Sequence, residues 1–272
     1  MTPPPPSDTV SDDLDADLAL ALRLADAADA ETAPRFDQAH LEVSLKADRT
    51  HVTEADLAAE RAIRALIQAE RPDDAIYGEE FGATEGRRRW VIDPIDGTAN
   101  YLRGVPAWGT MIALVIDGTP RLGVVSSPAL GRRWWAAAGR GAWVSVAGAA
   151  PHSIHVSGID TLDEASISFQ SISQWDRGGH ADKLLPLSRR VWRDRAYGDI
   201  WSYMLLAEGR LEFVAEFDVK EYDIAAAAAI VTEAGGRFTS FDGVDTLSAG
   251  SALATNGLLH DAFLDQLHGT SA

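Results

Sequence analysis

The stretch WVIDPIDGTAN, residues 90–100, ends an apolar run by placing Asp93 and Asp96 around Pro94, with Gly97 and Thr98 immediately after. Like charges at that spacing repel each other unless something positive lies between them. A turn is the plain alternative, since Pro, Asp and Gly all favour one. The chemical alternative is a hard cation, which takes oxygen ligands and keeps several waters. Pro94 restricts the backbone so that both carboxylates can turn to one side, and the Ile95 carbonyl can add another oxygen. Two cations roughly 3.5–4 Å apart could share such ligands and hold the attacking and leaving oxygens of a phosphoryl group. Gly97 and Thr98 open a helix or turn whose free backbone N–H groups suit phosphate oxygens.

Three other segments put acids at the ends of elements. Asp56 lies in the first turn of a helical pattern, Glu79 and Glu80 follow a strand-like run, and Asp223 opens an Ala-rich stretch. Each has a structural explanation when taken alone. Asp56 completes a capping box with Thr53, Asp223 suits an N-cap or the helix dipole, and GEE reads as a solvated loop edge. Taken with DPID, the four segments describe a metal-assisted phosphatase site. No cysteine is present, which removes thiolate chemistry and disulfides and leaves carboxylates, His and Thr as the reactive groups. The seven histidines (His40, His51, His152, His155, His180, His260 and His268) are scattered and read as surface or packing residues. A net charge of −17 argues against nucleic-acid and anionic-membrane binding, so an anionic substrate would need help from metal.

These groups must be positioned by a core, and 272 residues at 46% hydrophobic content suffice for one large α/β domain or two smaller ones. No apolar run approaches the length of a membrane span, and MTPPPPSDTVSDD lacks the features of a signal peptide, so a cytoplasmic protein is expected. Residues 1–12 read as a disordered tail, 13–156 as an N-terminal α+β half carrying the metal motifs, and 157–272 as a C-terminal α/β half that selects substrate. The spacing predicts helices from Leu14 to about Ala30 and after the Thr53 cap. Strands are expected in AIYGEEF, RRRWVIDPI, GTMIALVID, RLGVVSSPA and RWWAAAGRGAWVS, forming a mostly antiparallel sheet behind the two helices. Beyond Ser157, strands in ASISFQS, WRDRAYG, LEFVAEF and RFTSF alternate with helices in HADKLLPLSRRV, IWSYMLLAEG and DIAAAAAIVTEAGG, and a last helix is expected near Leu258–Leu267.

GEE, WVIDPIDGTANYLRGVP and EYDIAAAAAIVTEAGG resemble, in order and spacing, the signature segments of the inositol-monophosphatase superfamily of Mg²⁺-dependent phosphatases. The resemblance covers roughly residues 14–268 and implies that family's αβαβα sandwich, shared with fructose-bisphosphatases. It further implies two or three Mg²⁺ per site: Glu79, Asp93 and the Ile95 carbonyl around the first, and Asp93, Asp96 and Asp223 around the second. A weaker third ion would sit near Glu79. By the same resemblance Gly97 and Thr98 bind phosphate, while Asp56 and Thr98 orient the attacking water. The family often has Trp before the last aspartate; Tyr222 stands there and is expected to pack the same way. Members are usually homodimers, and the segment around Trp134, Trp135 and Trp143 is the expected contact, with RRWW serving packing rather than nucleic-acid stacking.

Substrate choice is expected from RAYGDIWSY and AEFDVKEYD, hence from Arg195, Asp199 and Glu216. Glu216 matches the family position that contacts the alcohol. Asp199 is either an N-cap for the following helix or a second carboxylate facing the leaving group. Two acids there favour a cationic alcohol over a neutral polyol, because charge-assisted hydrogen bonds are the stronger ones. SSPALGRRWWAAAGRGAW, ISFQSISQW and RAYGDIWSY also resemble the actinobacterial histidinol-phosphate phosphatases within the superfamily. The expected reaction is therefore hydrolysis of L-histidinol phosphate. Inositol-1-phosphate and fructose-1,6-bisphosphate remain alternative substrates, and a non-catalytic phosphate-binding module is the alternative of a different class.

Overall fold

The computed structural model describes residues 13–38, 42–45 and 51–269, so the expected tail at 1–12 and His40 lie outside the described residues. Helix α1 (Leu14–Thr32) precedes a short hairpin of β1 (Val43–Leu45) and β2 (His51–Thr53), and α2 (Glu54–Glu70) follows. Next come β3 (Ala75–Gly78), β4 (Gly82–Ala83), β5 (Arg88–Asp96) and the short α3 (Thr98–Leu102). The meander β6 (Gly109–Ile116), β7 (Thr119–Ser127), β8 (Arg132–Ala137), β9 (Ala142–Val146) and β10 (His152–Ile154) completes the first half. The second half runs β11 (Ser166–Phe169), α4 (Ile172–Arg177), α5 (Ala181–Ser188), β12 (Arg193–Arg195), α6 (Asp199–Ala207), β13 (Phe213–Phe217), α7 (Glu221–Glu233), β14 (Arg237–Thr239), β15 (Ser251–Thr255) and α8 (His260–His268).

Two sheets and three helical layers alternate, giving the αβαβα order. The eight-stranded sheet has the order β10-β9-β8-β7-β6-β5-β3-β4, and the five-stranded sheet β12-β11-β13-β15-β14. Leu20, Leu24, Ile63 and Ile67 of α1 and α2 pack on Trp90, Ile92, Ile112 and Leu114 on one face of the large sheet. The opposite face, with Val91, Met111 and Ala113, meets Tyr203 and Met204 of α6 and the alanines of α7. Those two helices in turn cover Val214, Ala252 and Ala254 of the small sheet. Its outer face packs Phe213, Phe217 and Leu253 against Trp175, Leu187 and Phe263 from α4, α5 and α8. Because β6 is covered on both faces it is buried at every position, which is why GTMIALVI is continuously apolar rather than alternating.

Most of the expected elements are present, with corrections. RWWAAAGRGAWVS is two strands, β8 and β9, separated by a turn in which Gly139 and Gly141 hold positive φ. The strand β15, the helix α4, the β1–β2 hairpin and β10 had no counterpart in the sequence reading. Trp134 is fully buried and donates its indole N–H to Glu208 at 2.8 Å, so it belongs to the core and cannot form a surface contact. Among the described residues, no helix is long and apolar enough to cross a membrane.

Candidate active site

Several element ends meet at one edge of the sandwich. β3 and β5 are parallel neighbours, with Gly78 paired to Ile92, so the residues that follow each strand emerge side by side. The Glu79 N–H donates to the Ile92 carbonyl at 3.2 Å, which brings GEE against DPID. Within β5, residues at odd separation would ordinarily face opposite sides of the sheet. Here the register slips: Asp93 pairs with Met111 and Asp96 with Gly109, so β5 spends one extra residue at Pro94–Ile95. Pro94 has no N–H to give the ladder, its carbonyl accepts from the Thr110 hydroxyl at 2.8 Å, and the bulge turns both aspartates to one side. The two carboxylates and that of Asp223 then each offer an oxygen within 4.8 Å of the others.

His51, Glu79, Asp93, Ile95, Asp96, Gly97, Thr98, Ala99, Asp199 and Asp223 line the resulting cleft. None of these described residues is a lysine or arginine. Burial, then Glu79 and Asp96, push the Asp93 carboxyl well above the usual carboxylate range; burial, then Asp199 and Asp223, do the same for Asp96. Such a set of mutually repelling hard oxygen donors, with no lysine or arginine among the described residues of the lining, fits Mg²⁺. Asp223 is pushed up to about 7, chiefly by burial, and one of its oxygens accepts from the Lys220 N–H at 2.6 Å. It is the third residue of α7 rather than its N-cap, which is Lys220.

Asp56 has the capping role expected of it. Its Oδ2 accepts from the Thr53 N–H at 2.8 Å and the Thr53 hydroxyl at 2.5 Å, closing the capping box of α2. Its Oδ1 is buried with no hydrogen-bond partner, and burial pushes the group up to about 6, with Glu79 adding to the shift. Asp56 is fully buried, and does not itself line the cleft. The Thr98 hydroxyl donates to the Ile95 carbonyl at 3.0 Å. Gly97 caps α3 at φ 84°, and a Cβ there would lie 3.0 Å from the Ala107 carbonyl oxygen, so only glycine fits the turn without strain.

The expected substrate residues divide. Asp199 lines the cleft, and Glu216 lies buried behind it on β13. Glu216 Oε2 accepts from the Tyr203 hydroxyl at 3.0 Å while Oε1 has no partner, and burial first, then Asp199, pushes the group up to about 8. Asp199 is not the cap of α6; Gly198 is, and Asp199 follows at φ 47° with its carboxylate turned to Gln170 and Asn100. Arg195 is not brought to the cleft: it is exposed at the end of the edge strand β12, where its guanidinium donates to the Asp194 carbonyl at 2.6 Å. Tyr222 packs edge-on against Tyr77, with ring centroids 5.5 Å apart, as its position in the motif implied.

Three contributors escaped the sequence reading. His51 was read as surface or packing yet lines the cleft. Glu60, fully buried in α2, accepts the backbone N–H groups of Glu80 at 2.7 Å and Phe81 at 3.2 Å and so shapes the GEE turn. Its signal was present, since Asp56, Glu60, Ile63 and Ile67 share one helix face and two acids on an apolar stripe call for an explanation. Gln170 is the third.

Five alternating layers with an acid-lined cleft at the end of the middle helices define the class: a layered α/β phosphatase fold. The chain belongs to the inositol monophosphatase family, whose model matches residues 13–271. It is 52% identical over 254 residues to the histidinol-phosphatase of Mycobacterium tuberculosis, covering 93% of this chain and 98% of that one. It is likewise 52% identical over 257 residues to the histidinol-phosphatase of Streptomyces coelicolor, covering 93% and 97%. Among solved structures, an inositol monophosphatase from Zymomonas mobilis superposes with a TM-score of 0.84 at 33% identity, covering 94% of this chain and 99% of that one.

Proposed function

We propose that the chain hydrolyses L-histidinol phosphate to L-histidinol and inorganic phosphate with two or three Mg²⁺ as cofactor. Glu79, Asp93, Asp96, Asp223 and the Ile95 carbonyl would hold the ions. When bound, they withdraw charge from the phosphoryl oxygens and lower the pKa of a coordinated water. Gly97 and Thr98 receive the phosphate, and Asp56 and Thr98 orient the attacking water. The new P–O bond forms in line as the ester P–O bond breaks, and the departing alcohol takes up a proton. We read the chain as a cytoplasmic homodimer, with the half-exposed Trp143 remaining as a contact on the first sheet.

The observation that carries the choice of substrate is Asp199, a carboxylate lining the same cleft as the cluster, where the described residues of the lining include no lysine or arginine. A neutral polyol would leave that charge uncompensated, whereas the ammonium of histidinol would meet it. Similarity to the two actinobacterial histidinol-phosphatases supports the same reading. A hydrogen bond to a charged group contributes roughly 1.5–3 kcal/mol, so Asp199→Asn should lower kcat/KM for histidinol phosphate by about 10- to 100-fold. Hydrolysis of p-nitrophenyl phosphate, which has no ammonium, should stay nearly constant. Equal losses on both substrates would contradict the assignment.

A further inference from the structure

One neutral side chain governs how Asp199 stands. Gln170, which follows β11, donates from Nε2 to Asp199 Oδ1 at 2.7 Å, and its Oε1 accepts from the Asp199 backbone N–H, also at 2.7 Å. From the other side Asn100 Nδ2 donates to Asp199 Oδ2 at 2.8 Å, and is itself anchored on the Ala107 carbonyl at 2.8 Å. Asp199 adopts φ 47°, a conformation that a non-glycine residue keeps only where its surroundings over-determine it. The residue before it, Gly198, has φ 72°, and a Cβ there would lie 2.3 Å from Gln170 Oε1. The turn is therefore built around the carboxamide. The next backbone N–H, that of Ile200, donates to Asp96 Oδ2 at 2.5 Å, so the same turn also touches the acid cluster.

The chemistry of the clamp matters as much as its geometry. An arginine or lysine could steady the Asp199 carboxylate, but the ion pair would cancel its charge. Two carboxamides orient it and leave the negative charge in place. The clamp needs a donor toward the carboxylate and an acceptor toward the backbone N–H, and a carboxamide supplies both on one rigid plane. Glutamate would set two acceptors against another carboxylate, and methionine would supply neither bond.

We propose that Gln170 is a specificity-determining positioning residue, which clamps residue 199 at backbone and side chain and so aims an uncancelled negative charge at a cationic leaving group. Gln170 is absent from the cleft lining and acts through Asp199. This inference rests on the cationic-substrate reading given above, and the experiment separates the two. kcat and KM are measured at saturating Mg²⁺ for histidinol phosphate, inositol 1-phosphate and p-nitrophenyl phosphate. The proteins are the wild type, Gln170→Met, Gln170→Glu, Gln170→Asn, Asp199→Asn and the Gln170→Met/Asp199→Asn double variant.

Gln170→Met should lower kcat/KM for histidinol phosphate about tenfold, chiefly through KM, and change p-nitrophenyl phosphate less than about twofold. Gln170→Glu should lose at least as much. Gln170→Asn, which keeps donor and acceptor on a shorter stem, should recover part of the loss and serves as the test should Gln170→Met not fold. In the Asp199→Asn background, adding Gln170→Met should cost nothing further on histidinol phosphate, because contacts that act through one another are not additive. Equal losses on histidinol phosphate and p-nitrophenyl phosphate would overturn the inference, since Gln170 would then be supporting the acid cluster; so would losses that multiply in the double variant. A wild type that prefers inositol 1-phosphate would sink the substrate reading and this inference with it. A wild type that prefers histidinol phosphate, with Gln170→Met unchanged, would sink this inference alone.

Discussion

In the proposed reaction Asp56 serves chemistry as well as stability. One oxygen closes the capping box of α2, while the other is buried without a partner. Loss of a cap costs about 1 kcal/mol of stability, while loss of positioned general-base assistance costs about 10²–10⁴-fold in rate. Asp56→Asn should therefore fold with a modest change in Tm and lose at least about a hundredfold in kcat. A lower Tm with unchanged turnover would reduce Asp56 to a cap. Asp93 and Asp223 were legible because each accepts a backbone N–H from its own short segment, those of Ile95 and Lys220, whereas Asp96 accepts the distant Ile200 N–H. Gln170 and Glu216 were harder to place, because their partners lie 29 and 13 residues away and meet them only once β11, β13 and α6 have packed. Arg195 was assigned to the substrate from its neighbourhood in sequence, whereas the short edge strand β12 carries it away from the cleft.

At the scale of elements, periodicity read the long helices and the covered strands of the first sheet well, because burial imposes their pattern. β15 escaped since SALAT has small side chains and little intrinsic strand preference. It is a strand because β13 and β14 pair with it on both sides. The helix that follows is pinned to it by His260, which is fully buried, with Nδ1 3.0 Å from the Thr255 hydroxyl of β15 and Nε2 3.2 Å from the Thr239 hydroxyl of β14. Burial, then Arg237, pushes this imidazole down to about 4, so the folded state takes up a proton less readily than the unfolded chain. The His260 contribution is thus complete above about pH 6.5, declines as pH falls toward 4, and is exhausted below that. Chemical denaturation of wild type and His260→Gln from pH 7.5 to 4 should show the wild-type advantage shrinking by on the order of 2–3 kcal/mol across that window. An advantage independent of pH would mean that His260 is not held neutral.

At the scale of the whole molecule, a chain with a net charge of −17 presents an acid-lined cleft for a phosphate ester. Phosphate and carboxylates repel, so the arrangement works only with divalent cations between them, and the part of the substrate beyond the phosphate must tolerate or use the remaining acids. In the proposed reaction a cationic alcohol meets both conditions, with the metals answering the phosphate and Asp199 the ammonium. The family and its five-layer fold were legible in three motifs. The proposed selection of substrate depends on the turn that opens α6, whose unusual backbone no composition or spacing reveals. The measurement that bears most directly on this account is phosphate release from histidinol phosphate, inositol 1-phosphate, fructose 1,6-bisphosphate and 3′-phosphoadenosine 5′-phosphate, each with Mg²⁺ and again after chelation. The account predicts that histidinol phosphate has the highest kcat/KM by at least about tenfold, the size of one charged contact, and that chelation abolishes its turnover until Mg²⁺ is restored. A higher kcat/KM on inositol 1-phosphate, or turnover of histidinol phosphate that survives chelation, would contradict it.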